Sequence, residues 1–100
     1  VDDEIILIGT IMARSDDIGN QLPQEIRKEV FATIKSIGMN EKSAASQISF
    51  HAEYKAEVFR FDYEGQKFVE FNGKRLEIYR TYESGDRVEL YLGERSGVHV

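Results

Sequence analysis

The stretch Glu70–Tyr82, EFNGKRLEIYRTY, decides how this chain is read. Asn72-Gly73 stands between two runs in which apolar and polar residues alternate. Both central residues of a type I′ turn need φ > 0, and Asn-Gly meets that demand with little strain, so the pair marks a two-residue β-hairpin. The turn then dictates the register: Phe71 faces Lys74, Glu70 faces Arg75, Val69 faces Leu76 and Lys67 faces Ile78. One face carries Val69, Phe71, Leu76 and Ile78, and the other sets Glu70 across from Arg75, opposite charges on adjacent strands. A one-residue slip would turn the apolar set into water, so pattern and turn demand the same pairing.

Working outward, ESGD marks a second hairpin. A turn centred on Ser84-Gly85 joins Lys74–Tyr82 to Arg87–Leu92 and sets Arg80 opposite Glu89. Upstream, HAEYKAEVFRFDYEG reads as a strand marked by Val58, Phe59 and Phe61 and ending near Glu64-Gly65. EIILIGTIM, Glu4–Met12, is apolar on both faces, the pattern of a strand covered on both sides. The ARSDDIGNQLP that follows carries the turn residues Ser15, Asp16, Asp17, Gly19 and Asn20, with the only proline, Pro23, closing the loop.

The next segment supports two readings. Ile26, Val30, Ile34 and Ile37 fall at helical spacing, whereas Val30, Phe31, Thr33 and Ile34 are residues that favour strands; Lys28–Ile37 is read as a strand. Gly38–Ser49 is small and polar and reads as a long flexible loop, with at most one helical turn over Glu41–Gln47. The end, Gly93–Val100, has little to pack and is expected to fray. The expected fold is all-β: a single small antiparallel β-barrel, because closure removes exposed strand edges.

One hundred residues suit one domain with one core. The chain has no cysteine, which excludes disulfides, thiol nucleophiles and cysteine-based zinc sites and fits a reducing compartment. Thirteen Lys+Arg against 18 Asp+Glu give a net charge of −5, so the counterion release that drives binding to a phosphate backbone is lacking. The longest apolar run, Ile5–Ile8, is too short to span a membrane and has no basic leader before it, so a soluble protein made in the cytoplasm is expected.

Catalytic patterns do not emerge. His51 and His99 have no ligand-spaced partner, and the Asp16-Asp17 and Asp2-Asp3-Glu4 clusters lack the alternating oxygens of a calcium loop. Ser43, Ser46 and Ser49 lack a nucleophile-elbow context, and Gly9 and Gly19 are isolated rather than part of a phosphate-binding loop. No catalytic, cofactor or metal residue is therefore assigned; an enzyme would need a carboxylate pair such as Glu57 and Glu70 in one pocket. The second half is rich in aromatics, including Tyr54, Phe59, Phe61, Tyr63, Tyr79 and Tyr91, interleaved with Glu and Asp. Core and subunit contacts suit them better than base stacking, which also needs a positive groove.

Residues 57–98, EVFRFDYEGQKFVEFNGKRLEIYRTYESGDRVELYLGERSGV, resemble the head–tail connector proteins of tailed bacteriophages and prophages, in the head-closure (stopper, or head-tail adaptor) branch. The pattern is an acidic-aromatic strand end, an aromatic strand before Asn-Gly-Lys, an IYRTY-like strand and a Glu-Leu closing strand. DEIILIG and EVFATIKSI lie in the expected order before it, while MNEKSAASQIS lacks the aromatic residue of the corresponding loop.

The resemblance implies a virion protein of the head–tail junction that is a monomer when isolated. It would join a homo-oligomeric ring, dodecameric in the family, that closes the DNA-filled head and offers a tail attachment surface. Portal, adaptor and tail proteins are the implied partners, with DNA passing without specific binding and no membrane involved. The gate would be Gly38–Ser49, carrying Met39, Asn40, Glu41, Lys42 and Gln47; Arg60, Tyr63, Arg80 and Tyr82 would serve subunit contacts, and Arg95 a neighbouring ring. The alternatives are a barrel that binds a peptide or single-stranded nucleic acid, and a tail-completion protein of similar fold.

Overall fold

A computed structural model of the chain describes residues 2–14 and 21–95. In chain order these form β1 (Asp2–Arg14), β2 (Gln21–Ser36), α1 (Met39–Gln47), β3 (Phe50–Phe59), a short 3₁₀ turn (Arg60–Asp62), β4 (Phe68–Phe71), β5 (Lys74–Ser84) and β6 (Arg87–Arg95). Every strand pairing is antiparallel, and the order β1-β2-β3-β6-β5-β4 closes on itself as a barrel.

The Asn72-Gly73 hairpin has the pairing its turn demands. Asn72 and Gly73 have φ of 54° and 74°, and Phe71↔Lys74, Glu70↔Arg75 and Val69↔Leu76 are the β4–β5 partners. The Ile78 amide donates to the Lys67 carbonyl at 2.8 Å, extending the ladder past β4. Val69 and Leu76 are fully buried, and Phe71 and Ile78 pack against them. The core continues through Ile5, Leu7, Val30, Val58, Val88, Leu90 and Leu92. Among the described residues every buried side chain is apolar, so this barrel is held by area removed from water rather than by an interior polar network.

Several expectations need correction. The second hairpin turns at Gly85-Asp86, with Gly85 at φ 63°, so Glu89 lies opposite Tyr82 and Arg80 lies opposite Tyr91. A register irregularity between Ile78 and Arg80 leaves Tyr79 as an extra residue, a bulge that alternation alone does not reveal. Glu70 and Arg75 are cross-strand partners, yet each finds its ion pair on β2: Arg27 holds Glu70, and Glu25 meets Arg75 at 3.0 Å. β3 stops at Phe59, where the chain enters the 3₁₀ turn. Gly93, Glu94 and Arg95 belong to β6 and pair with Ala52, His51 and Phe50; residues 96–100 of the expected frayed end lie outside the described residues.

The first two strands run further than their apolar cores suggest. β1 and β2 pair continuously from Asp2↔Thr33 to Arg14↔Gln21, so Pro23 is a strand residue opposite Met12 and the helical spacing of Ile26–Ile37 is incidental. Proline lacks the N–H a central ladder requires, but among the described residues β2 has no partner strand on its other side at this point. The turn residues 15–20 lie outside the described residues. β1 meets β4 only from Ile6 to Ile8, and β2 meets β3 only from Thr33 to Ser36. Beyond these seams the two strands form an arm that, among the described residues, pairs only with itself, and on it Ile11, Met12, Leu22 and Ile26 are 42–57% exposed.

The stretch expected as a loop is helix α1. Gly38 caps it in extended conformation, and the Lys42 amide donates to the Gly38 carbonyl at 3.0 Å. Glu, Lys, Ala and Gln are good helix formers, and small side chains let Ala45 reach the barrel with no exposed surface. Ala45 is its only buried residue, so the amphipathic stripe that flags a helix in sequence is missing.

Candidate functional site

α1 lies against β3 and over the face made by β5 and β6. A second, smaller apolar cluster holds it there: Ala45, Phe50 and Ala52, with Ile37 and Tyr79 packed against them. The bulge in β5 explains the local chemistry. It directs two consecutive side chains, Tyr79 and Arg80, toward the helix instead of to opposite faces. Glu41 of α1 receives both. The Tyr79 hydroxyl donates to Glu41 Oε2 at 2.8 Å, and the Arg80 guanidinium pairs with Glu41 Oε1. The Glu41 side chain is only 15% exposed, so this contact is better shielded than a surface ion pair.

Aromatic rings and cations build the rest of the face. Phe50 and Tyr79 stack with centroids 5.2 Å apart, and Tyr79 meets Tyr91 edge-on at 6.2 Å. Arg80 lies 4.1 Å from the Tyr91 ring, and Arg95 lies 5.0 Å from Phe50 while pairing with Glu77 at 2.8 Å. Burial and the hydrogen bond to Glu41 push the Tyr79 hydroxyl far above its ordinary pKa. Burial and a hydrogen bond to Glu89 push Tyr91 up as well. For Arg80, desolvation pulls the pKa down, but pairing with Glu41 outweighs it and the net shift is upward.

Of the residues singled out in the sequence, the structure gathers Glu41, Arg80 and Arg95 on this face. Met39, Asn40, Lys42 and Gln47 are exposed on α1. The other three lie elsewhere. Arg60 contacts the Gly85 carbonyl and Glu83 beside the β5–β6 turn, the Tyr63 hydroxyl donates to the Gln66 carbonyl at 2.9 Å, and Tyr82 is 57% exposed opposite Glu89. Tyr79, Tyr91 and Phe50 complete the site and were not singled out for it. The bulge that assembles them has no sequence signature, although the aromatic richness of this half was its one visible trace.

Among the described residues no group of three His, Cys, Asp or Glu side chains is placed to hold a metal. Glu57 and Glu70 each keep their own cations: Lys35 and Arg87 for Glu57, Arg27 for Glu70. His51 is exposed, and His99 lies outside the described residues. The described residues form open clefts. One of about 250 Å³ lies at the base of the arm between Ile11, Ile26 and Glu64–Gln66, and one of about 380 Å³ separates Tyr63–Lys67 from β5. No described helix is long and apolar enough to cross a membrane. No protein-family model matches the chain, and no curated protein matches it.

Proposed function

We propose that this chain is a structural subunit of a phage or prophage head–tail connector, a head-closure protein that joins a homo-oligomeric ring at the head–tail junction of the virion. The ring closes the DNA-filled head and presents the surface to which the tail attaches. The observation that carries the reading is α1. A polar helix stands directly after the second strand, where the sequence resemblance sets a gate, and it is anchored to the barrel through Ala45 and the Glu41–Tyr79–Arg80 contact. A helix with one buried residue has little area holding it and can leave the barrel surface when a neighbour offers more. Net charge −5 supports the same role, because an acidic channel wall lets a phosphate backbone pass without adhering.

In this reading the chain is made in the bacterial cytoplasm and stays monomeric until portal and adaptor proteins template the ring. The test is negative-stain microscopy of portal–adaptor complexes with and without the purified chain. An additional ring on the adaptor end is the expected result. Failure to bind complexes that are otherwise assembly-competent would refute the role, and binding to tail tubes instead would identify a tail-completion protein.

A further inference from the structure

Several stretches of strand edge have no strand partner among the described residues, one on β1 (Gly9–Arg14), one on β2 and one on β5. β2 pairs with β3 only over Thr33–Ser36, so the outer edge of Gln24–Ala32 has no strand beside it among the described residues. β5 pairs with β4 only over Lys74–Glu77, so past the Ile78–Lys67 hydrogen bond its outer edge from Tyr79 to Ser84 has no strand beside it among the described residues, and its first part, Tyr79–Thr81, lines the groove of about 380 Å³ with Tyr63, Gly65, Lys67 and Ile78. An unpaired edge in a groove is the receptor geometry of strand addition: main-chain hydrogen bonds supply affinity and the flanking side chains supply selection. We infer that the β2 edge of one copy adds to the β5 edge of a second copy, making one sheet continuous across the contact.

Three observations select a second copy in this orientation. In the strand order β1-β2-β3-β6-β5-β4, β2 and β5 stand three places apart in a closed circuit of six, on opposite sides of the barrel. A donor on one side and an acceptor on the other generate a head-to-tail series, not a two-fold dimer. Charge agrees. Glu29 on β2 and Lys67 in the groove are both exposed and have no ion-pair partner among the described residues, so the incoming carboxylate meets an unused ammonium. The arm also exposes Ile11, Leu22 and Ile26, apolar surface that a two-stranded ribbon alone does not cover. Pro23 and the charges at Glu25, Arg27 and Glu29 discourage indiscriminate pairing, which leaves a specific neighbour as the occupant.

This inference deepens the ring reading above and rests on it; the isolated chain is monomeric in that reading, so the test uses the purified chain at a concentration high enough to populate the contact transiently and traps it by oxidation. The natural sequence has no cysteine, so introduced thiols report alone. Glu29→Cys and Thr81→Cys place single thiols on β2 and β5, and Phe31→Cys with Glu83→Cys form a second pair in case either substitution disturbs folding. Each β2 variant is mixed with a β5 variant at high concentration and oxidised, with Ile48→Cys replacing the β5 variant as the exposed control. Expected is a disulfide-linked dimer severalfold more abundant in the β2–β5 mixture than in the control, with little self-linkage of either variant alone. Self-linkage as abundant as the mixed product, or a mixed yield equal to the control in both pairs, overturns the inference. A β2–β5 cross-link without assembly onto portal complexes would sink the connector role while keeping the edge pairing, and assembly without the cross-link would do the reverse.

Discussion

Gly93→Ala tests the packing beneath α1 with one added methyl group. A Cβ at position 93 would stand 2.6 Å from the His51 carbonyl oxygen, 3.2 Å from its carbon and 3.3 Å from the Ala52 Cα. These are backbone atoms of β3 beside the irregularity between Ala52 and Tyr54, so no side-chain rotation relieves the clash. Moving the oxygen from 2.6 Å to a tolerable 3.0 Å shifts β3 by about 0.4 Å at the least, in a sheet paired on both sides of β6. Overpacking of this kind costs about 1–3 kcal/mol. At about 4–8 °C per kcal/mol for a domain of this size, the melting temperature should fall by roughly 10 °C. The displaced residues, Phe50–Ala52, carry the platform on which α1 rests, so hydrogen exchange in α1 should accelerate more than in the β4–β5 hairpin. Guanidinium titration followed by circular dichroism gives the stability change. A loss below about 0.5 kcal/mol, within the range of ordinary surface substitutions, would refute the close-approach argument.

The remaining expectations concern turn, helix and pH. Gly73→Ala meets no neighbour within 4 Å but keeps φ at +74°, so its cost is purely conformational, about 1–2 kcal/mol by urea titration; a neutral result would mean the turn is not type I′. Glu41→Ala should cost about 1–2 kcal/mol and raise exchange in α1 first, while Arg80→Ala added to it should cost less than in the parent; strict additivity would show that the two side chains do not interact. Tyr79 and Tyr91 have folded-state pKa values raised above 10.0, chiefly by burial and then by their carboxylate partners. The folded state therefore favours the protonated phenols: their contribution to stability is whole below about pH 10 and declines as pH rises beyond it. Denaturant midpoints should fall across that alkaline range in the parent and fall less in Tyr79→Phe. An equal decline in both would refute the burial of that hydroxyl.

The hairpin at Asn72-Gly73 was fully legible because three local rules coincide there: a turn dipeptide, an alternating pattern and a register that buries Val69 and Leu76 together. The second hairpin was legible as an element but not in register. The shift arose from a turn placed one residue early; the bulge at Tyr79, where the ring packs against Phe50, moves the register a second time beyond Arg80. α1 was hidden by its own polarity. Its only buried residue is an alanine, so hydropathy carried no period, and only residue-by-residue propensity favoured the helix. The interaction face shared that fate, since Glu41 and Arg80 were legible as charged residues but not as partners 39 positions apart. The length of β2 was missed for the opposite reason: a proline reads as a boundary, yet on a free edge it interrupts nothing.

The seam between β1 and β4 has a kinetic meaning. Only three residue pairs close it, and Ile8 and Phe68 stand sixty positions apart along the chain. The β4–β5–β6 meander, in contrast, joins neighbours through tight turns and forms without closing a large loop. The C-terminal half should therefore fold first and serve as a template, and β1 should zip into place late. In reverse, β1 would be the first wall to part under mechanical pull, releasing the arm while the meander is still intact.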